Sequence, residues 1–276
     1  MQTPYIVEKR ILRMKRKKKF ELKYTLISLA SVCIVILIWY LCINVFHLKS
    51  ESVFPGPVKV LKTFVKKLQE RSPDGATLLQ HLLQSLKVAF TGYGFGILAG
   101  VPLGIAMAWN KKVDIFVRPL FDLLRPIPGL AWIPLFILLF GIGLTPKALV
   151  IFISALIASI VNTYTGINQT KELHLWVGDV FGATSLQKLF KIAIPTALPM
   201  IFTGLRVALG AAWTALVAAE LLASSKGLGY MIQQARSIAR PDLVIVGMIS
   251  IGVVGLAFDK VLYFIEKKVS KGMNIR

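Results

Sequence analysis

Acidic residues are scarce in this chain, and the charge it does have is unevenly placed, with long stretches that carry none. Thirteen Asp and Glu stand against 33 Lys and Arg, and only 17% of the 276 residues are charged. A soluble domain carries about a quarter. Cysteine is nearly absent. Cys33 and Cys42 both sit in one apolar run, which excludes a disulfide framework. The three histidines, His47, His81 and His174, are scattered without metal-ligand spacing, so no metal site is expected. A Gly-rich phosphate loop and zinc-finger spacing are also missing, so no cofactor is expected on this chain. The net charge of +20 would suit nucleic acid in a soluble protein. Here the basic residues lie in tails and loops between apolar runs. That pattern suits the lipid bilayer and its anionic cytoplasmic leaflet, and no nucleic-acid partner is expected.

What the chain has in abundance is apolar length. Hydrophobic residues make up 55% of it, in runs near the ~20 residues that cross a bilayer. The reading is all-α: a polytopic membrane protein with about six transmembrane helices. Residues 1–23 form a basic tail, and 24–48 hold the first transmembrane helix, with its apolar run at Tyr24–Val45. That run is too long for a signal-peptide core and has no small-residue cleavage site after it. Residues 49–85 are expected to be an external loop. Within it Val58, Leu61, Phe64, Val65 and Leu68 keep helical spacing opposite Lys59, Lys62, Lys66 and Lys67, which predicts an amphipathic surface helix.

Residues 86–265 form a five-helix core, followed by a tail at 266–276. The spans are expected at Leu86–Trp109, Leu130–Gly141, Ala148–Ile167, Ile194–Leu222 and Leu243–Ile265. Asn110–Arg118 is read as a charged turn and Ala223–Asp242 as a loop. Gly92, Gly96, Gly100 and Gly104 recur every fourth residue, which predicts a face for close helix packing. Arg125-Pro126-Ile127-Pro128-Gly129 interrupts the third span, because proline cannot continue the helical ladder.

Nine basic residues between Lys9 and Lys23 place the N-terminus in the cytoplasm. Six spans return the C-terminus there, in keeping with Lys267, Lys268, Lys271 and Arg276. The basic loop from Lys49 to Arg71 falls outside against the same rule. The denser charge beside the first span is taken as decisive.

The stretch 168–195 is the longest internal loop on the cytoplasmic side. It holds Gly182, nine residues, then Ile192-Ala193-Ile194-Pro195. Glycine permits a turn between short helices, and proline suits the start of the next one. By spacing alone a plain helix–turn–helix connector explains this equally well.

The same spacing resembles the cytoplasmic loop of ABC importer permeases, which reads Glu-Ala-Ala, three residues, Gly, nine residues, Ile-x-Leu-Pro. This chain departs at Trp176-Val177-Gly178 and at Ile194. Further segments are similar to the nitrate/sulfonate/taurine branch. They include Phe54-Pro55-Gly56-Pro57, Gly100-Val101-Pro102-Leu103-Gly104, Arg125-Pro126-Ile127-Pro128, Trp132-Ile133-Pro134-Leu135, Phe140-Gly141-Ile142-Gly143 and Gly204-Leu205-Arg206. Ala219-Glu220-Leu221-Leu222 and Gly227-Leu228-Gly229-Tyr230 complete the set. Each segment alone is weak, but their order and spacing are specific.

The resemblance implies a type I ABC importer permease fold in the cell membrane and no covalent chemistry on this chain. It implies a cytoplasmic ATPase dimer that binds the ATP, a second copy of the permease and an extracytoplasmic solute-binding protein. It also implies a coupling loop to the ATPase formed by Val177, Gly178, Asp179, Gly182, Ala183, Thr184, Ile194 and Pro195. The substrate would be a small sulfonate, taurine, nitrate or a related anion or zwitterion. The alternative is a stand-alone secondary transporter or channel, but neither an internal repeat nor a chain of intramembrane acids supports it.

Two charges lie within the fifth span. Arg206 reads either as a path lining that attracts an anion or as an anchor between helices or subunits. Glu220, near the outer end, reads as an anchoring or gating contact, since it would repel an anion. Asn162 either lines a polar path or bonds to a neighbouring helix.

Overall fold

A computed structural model describes residues 24 and 26–272. The basic tail at 1–23 and the last residues of the 266–276 tail lie outside the described residues. The chain divides into two units, 1–64 and 65–276.

In the first unit α1 (Leu26–Val45) is apolar on every side. Leu26, Ile27, Leu29, Val32, Val35 and Leu37 are all exposed, as in a helix surrounded by lipid. Its last turn, Leu41–Val45, widens to a π-helix. Asn44 reaches Glu51 Oε1 at 3.3 Å and fills the space that a side chain at Gly56 would need.

The amphipathic helix is α2 (Pro57–Gln69), with proline at its first position. It straddles the division between the units. Val58, Leu61, Val65 and Leu68 are exposed in one stripe, while Val60 is buried. Lys67 departs from the expected charged face and is 2% exposed. Its ammonium donates to Asp74 Oδ1, to the Ser72 carbonyl at 3.1 Å and to the Ala76 carbonyl at 2.8 Å. Three donors thus meet three acceptors, which lets the charge leave water.

The second unit is built on α3 (Leu78–Trp109), α6 (Leu144–Asn168), α9 (Ile194–Leu222) and α11 (Pro241–Gly272). The glycine face of α3 lies on α6. A Cβ at Gly96 would stand 2.6 Å from that of Ala155, and one at Gly100 2.8 Å from that of Ser159. Only a residue without a side chain permits that approach. Asn162 of α6 packs onto Gly204 of α9. Trp213 of α9 donates to the Ile251 carbonyl of α11 at 3.1 Å.

Several boundaries differ from the sequence reading. Helix α3 starts at Leu78 rather than Leu86, because Thr77 and Gln80 form a capping box. The expected loop at 49–85 is therefore shorter. Asn110–Arg118 is not a turn. Asn110 caps α4 (Lys111–Leu124) by accepting the Lys112 amide at 2.9 Å, and Asp114 pairs with Arg118 one turn on at 2.7 Å. After the proline break, a 3₁₀ turn at Gly129–Trp132 leads into α5 (Ile133–Phe140). The two halves are bent by 80°, so among the described residues five helices are long and apolar enough to span, or six if the bent pair counts as one. The last span is longer than expected, since α11 runs seven residues past Ile265.

Two stretches read as loops contain helix. Within 168–195 lie α7 (Glu172–Val180) and α8 (Ser185–Lys188). Within 223–242 lies α10 (Leu228–Ser237).

Candidate functional site

The bundle has two polar ends, joined by α9, whose 29 residues at ~1.5 Å each span ~43 Å. At one end α7 turns back into α8 through Gly182. Its φ of +69° lies in the left-handed region, where a side chain is strained. The turn is held on both sides. The Gly182 amide donates to the Asp179 carbonyl at 2.9 Å, and the Ala183 amide to the Gly178 carbonyl at 2.9 Å. Thr184 then caps α8, its hydroxyl accepting the Gln187 amide while the Gln187 side chain accepts the Thr184 amide. Lys188 Nζ reaches back to Asp179 Oδ1 at 2.5 Å and closes the loop. Gly178 is buried, and a Cβ there would stand 3.0 Å from Ile192 Cδ1. Gly178, Asp179, Gly182, Ala183 and Thr184, which the resemblance had implied, therefore form one hydrogen-bonded turn, with Val177 exposed beside it.

Ile194 and Pro195 stand in the first turn of α9, as expected, where the missing proline amide has no intrahelical partner to lose. The helical run into them is unbroken from Ser185 to Leu222. A π-turn at Leu189–Ala193 precedes them, and the Ile194 amide donates to the Leu189 carbonyl. Ile194 packs with Ile167, Leu189 and Ala193 in a cluster beneath the turn.

The sequence reading did not name Val180 and Phe181, which are 85% and 83% exposed at the tip of this turn. Leu186 and Phe190 add to the same apolar surface. Large apolar side chains flanking the glycine were the available signal. An exposed patch of this kind marks a contact site.

At the opposite end Glu220 is 1% exposed. The Ser85 hydroxyl lies 2.8 and 2.9 Å from its two carboxylate oxygens, and the Gly229 amide donates to Oε2 at 2.9 Å. Ser85 Oγ accepts the Leu228 amide at 2.9 Å, and His81 Nδ1 accepts the Gly227 amide at 3.1 Å. With Nδ1 accepting, His81 carries its proton on Nε2, which faces Asp74 Oδ1 at 3.2 Å. Burial by itself would raise the Asp74 pKa, but the hydrogen bonds from His81 and Lys67 and the charge of Lys67 hold it below the ordinary carboxylate value. Beside this cluster Lys147 donates to Ser224 Oγ at 2.9 Å, and Ser224 donates to the Lys226 carbonyl at 2.6 Å.

Between the two ends Arg206 of α9 faces Glu266 of α11, Nη2 to Oε2 at 3.1 Å. Asn162 donates to the Ala158 carbonyl of its own helix at 2.8 Å. The structure thus brings neither residue together with Glu220.

Residues 92–271 match the family of binding-protein-dependent transport system inner membrane components, which covers well over half of the chain. The chain belongs to that family. It is an ABC importer permease subunit of the nitrate/sulfonate/taurine branch, a multi-pass membrane protein. The taurine transport system permease protein TauC of Escherichia coli (strain K12) is 32% identical over 247 residues, covering 88% of each chain. The nitrate import permease protein NrtB of Synechocystis is 31% identical over 243 residues, covering 87% of each. A solved structure of the MetNI methionine ABC transporter in inward-facing conformations shares the fold. Its TM-score is 0.58 at 19% identity, over 71% of this chain and 96% of the other. The permease's Gly182 turn falls within the matched residues, as do Glu220 and Gly227–Gly229, while His81 and Ser85 of the same cluster lie before them.

Proposed function

We propose that this permease carries a small sulfonate, taurine, nitrate or a related anion or zwitterion into the cell, driven by an ATPase that docks on the Gly182 turn. The observation that carries the reading is the apolar tip, Val180 and Phe181, presented on a turn that Asp179, Lys188 and the Thr184 cap hold rigid. A rigid knob of this kind fits a groove on a partner and passes force onward without bending. The helical run that begins at Ser185 crosses the whole bundle, so a displacement at the turn reaches its far end.

The remaining parts follow from the same reading. The Gly182 turn and both chain termini face the cytoplasm, and the Glu220 cluster faces outward. Two copies form the path, an ATPase dimer binds and hydrolyses the ATP, and a solute-binding protein delivers the substrate. The substrate class is supported by the names of TauC, a taurine permease, and NrtB, a nitrate permease. Family membership leaves the stand-alone transporter or channel without support.

The test is reconstitution of the permease with its ATPase and binding protein in proteoliposomes, followed by uptake of labelled taurine and of nitrate. Uptake is expected to require ATP and to stop with a hydrolysis-dead ATPase. Val180→Asp with Phe181→Asp should release the ATPase from the membrane fraction. Uptake that persists with the dead ATPase would overturn the proposal.

A further inference from the structure

We propose that Glu220 is a positioning residue for transport: it locks α10 to the ends of α3 and α9, so that the three move as one body when the permease changes conformation. This rests on the permease function proposed above.

The first amides of a helix have no partner within it. In α10 the amides of Gly227, Leu228 and Gly229 go to His81, Ser85 and Glu220, which belong to two different spans. These acceptors are all 1% exposed or less, so water does not compete for the bonds. Ser85 is the hinge of the set. Its hydroxyl donates to Glu220 and its oxygen accepts from Leu228, so α3, α9 and α10 meet at one atom.

The two glycines of the Gly227-Leu228-Gly229-Tyr230 segment are required by the same contact. A Cβ at Gly227 would overlap the Glu220 carboxylate, and one at Gly229 would stand 2.6 Å from the Val217 carbonyl and 2.7 Å from Glu220 Cβ. The Ala219–Leu222 and Gly227–Tyr230 segments, separate in sequence, are therefore two halves of one joint.

Burial of apolar side chains would hold α10 in place as well as this network does. What directional bonds add is a single orientation. Glu220 lies two residues before the end of the 38-residue helical run that starts at Ser185, beside the Gly182 turn. At ~1.5 Å per residue that run is ~57 Å long. Motion entering at the turn is carried along it and leaves it at Glu220, toward α10 and α3.

The test compares Glu220→Gln, Glu220→Ala and Ser85→Ala in the reconstituted complex. Deuterium exchange of a peptide covering 223–237 is read first, since it needs no substrate. We expect at least tenfold faster exchange in Glu220→Ala, less in Glu220→Gln and Ser85→Ala, and no change over 198–215. ATP hydrolysis and taurine uptake are then measured together. The number of taurine molecules carried per ATP should fall at least fivefold in Glu220→Ala and recover in part in Glu220→Gln. Unchanged exchange over 223–237, or hydrolysis and uptake falling in parallel, overturns the inference. If the native complex takes up neither taurine nor nitrate, the substrate class is wrong. The exchange comparison, and whether hydrolysis stays responsive to the binding protein in the variants, then decides this inference separately.

Discussion

Arg206 and Glu266 stand 3.1 Å apart and join α9 to α11, and the ring of Tyr263 lies 5.9 Å from the Arg206 guanidinium carbon. The side chains keep 26% and 20% exposure, so solvent weakens the attraction to about 1 kcal/mol or less. The pair ties α9 to α11. Arg206→Glu or Glu266→Arg alone sets like charges face to face and should lower the yield of assembled complex. The double reversal restores the pair and should return uptake to at least half of native. A reversed pair that assembles normally yet carries nothing would instead make Arg206 a substrate contact.

Gly94 and Gly96, two residues apart on α3, should respond in opposite ways. Gly96→Ala drives a methyl group against Ala155, and neither side can give without moving a helix. The expected loss is about 1–3 kcal/mol. Nothing lies within 4 Å of a Cβ at Gly94, so Gly94→Ala should be neutral or gain up to ~1 kcal/mol of helix propensity. Thermal unfolding in detergent measures both, and equal midpoints for the two variants would contradict the packing described.

At Gly182 there is open space around a Cβ, so the cost of alanine is purely the positive φ. That amounts to about 1 kcal/mol, which would weaken ATPase binding about fivefold if the turn must keep its shape. Gly182→Asn should be milder, because asparagine tolerates this conformation, and Gly182→Val should be worse. Titration of the purified ATPase onto the permease in nanodiscs gives the order, and equal affinities across the series would refute it.

Asp74 predicts an acid limb. Its folded pKa is depressed below the unfolded value of about 3.9. Its contribution is therefore complete above about pH 4 and is lost as the pH falls through the folded value. The native permease should lose thermal stability in that window. Asp74→Asn should be less stable at neutral pH, because it leaves the buried Lys67 ammonium without a counter-charge, and its midpoint should vary less on acidification. An identical acid slope in the variant would rule out Asp74 as the source.

Which parts of the permease were legible in its sequence follows from the range of the interactions. The glycine face at Gly92, Gly96, Gly100 and Gly104 could be read because helical period alone sets which residues share a side. The Gly182 turn was equally accessible, since its bonds lie within ten residues. Lys67 and His81 were not. A lysine in an amphipathic pattern reads as solvated, and only the fold back at Ser72–Ala76 supplies its three acceptors. Helix α10 was hidden for a related reason. Its N-terminal caps lie 9 to 146 residues away in sequence, so no local capping signal marks its start.

By itself the sequence determined that this chain crosses a membrane about six times, that its third crossing is broken, and where its α3 packs closely. Long apolar runs, prolines and spaced glycines act through local backbone chemistry that needs no partner to be read. Only the tertiary structure decided which partners the charges within its spans meet. A charge in an apolar interior is tolerated only where specific partners satisfy it. The partners of Glu220 and Arg206 come from other helices whose approach no local pattern encodes.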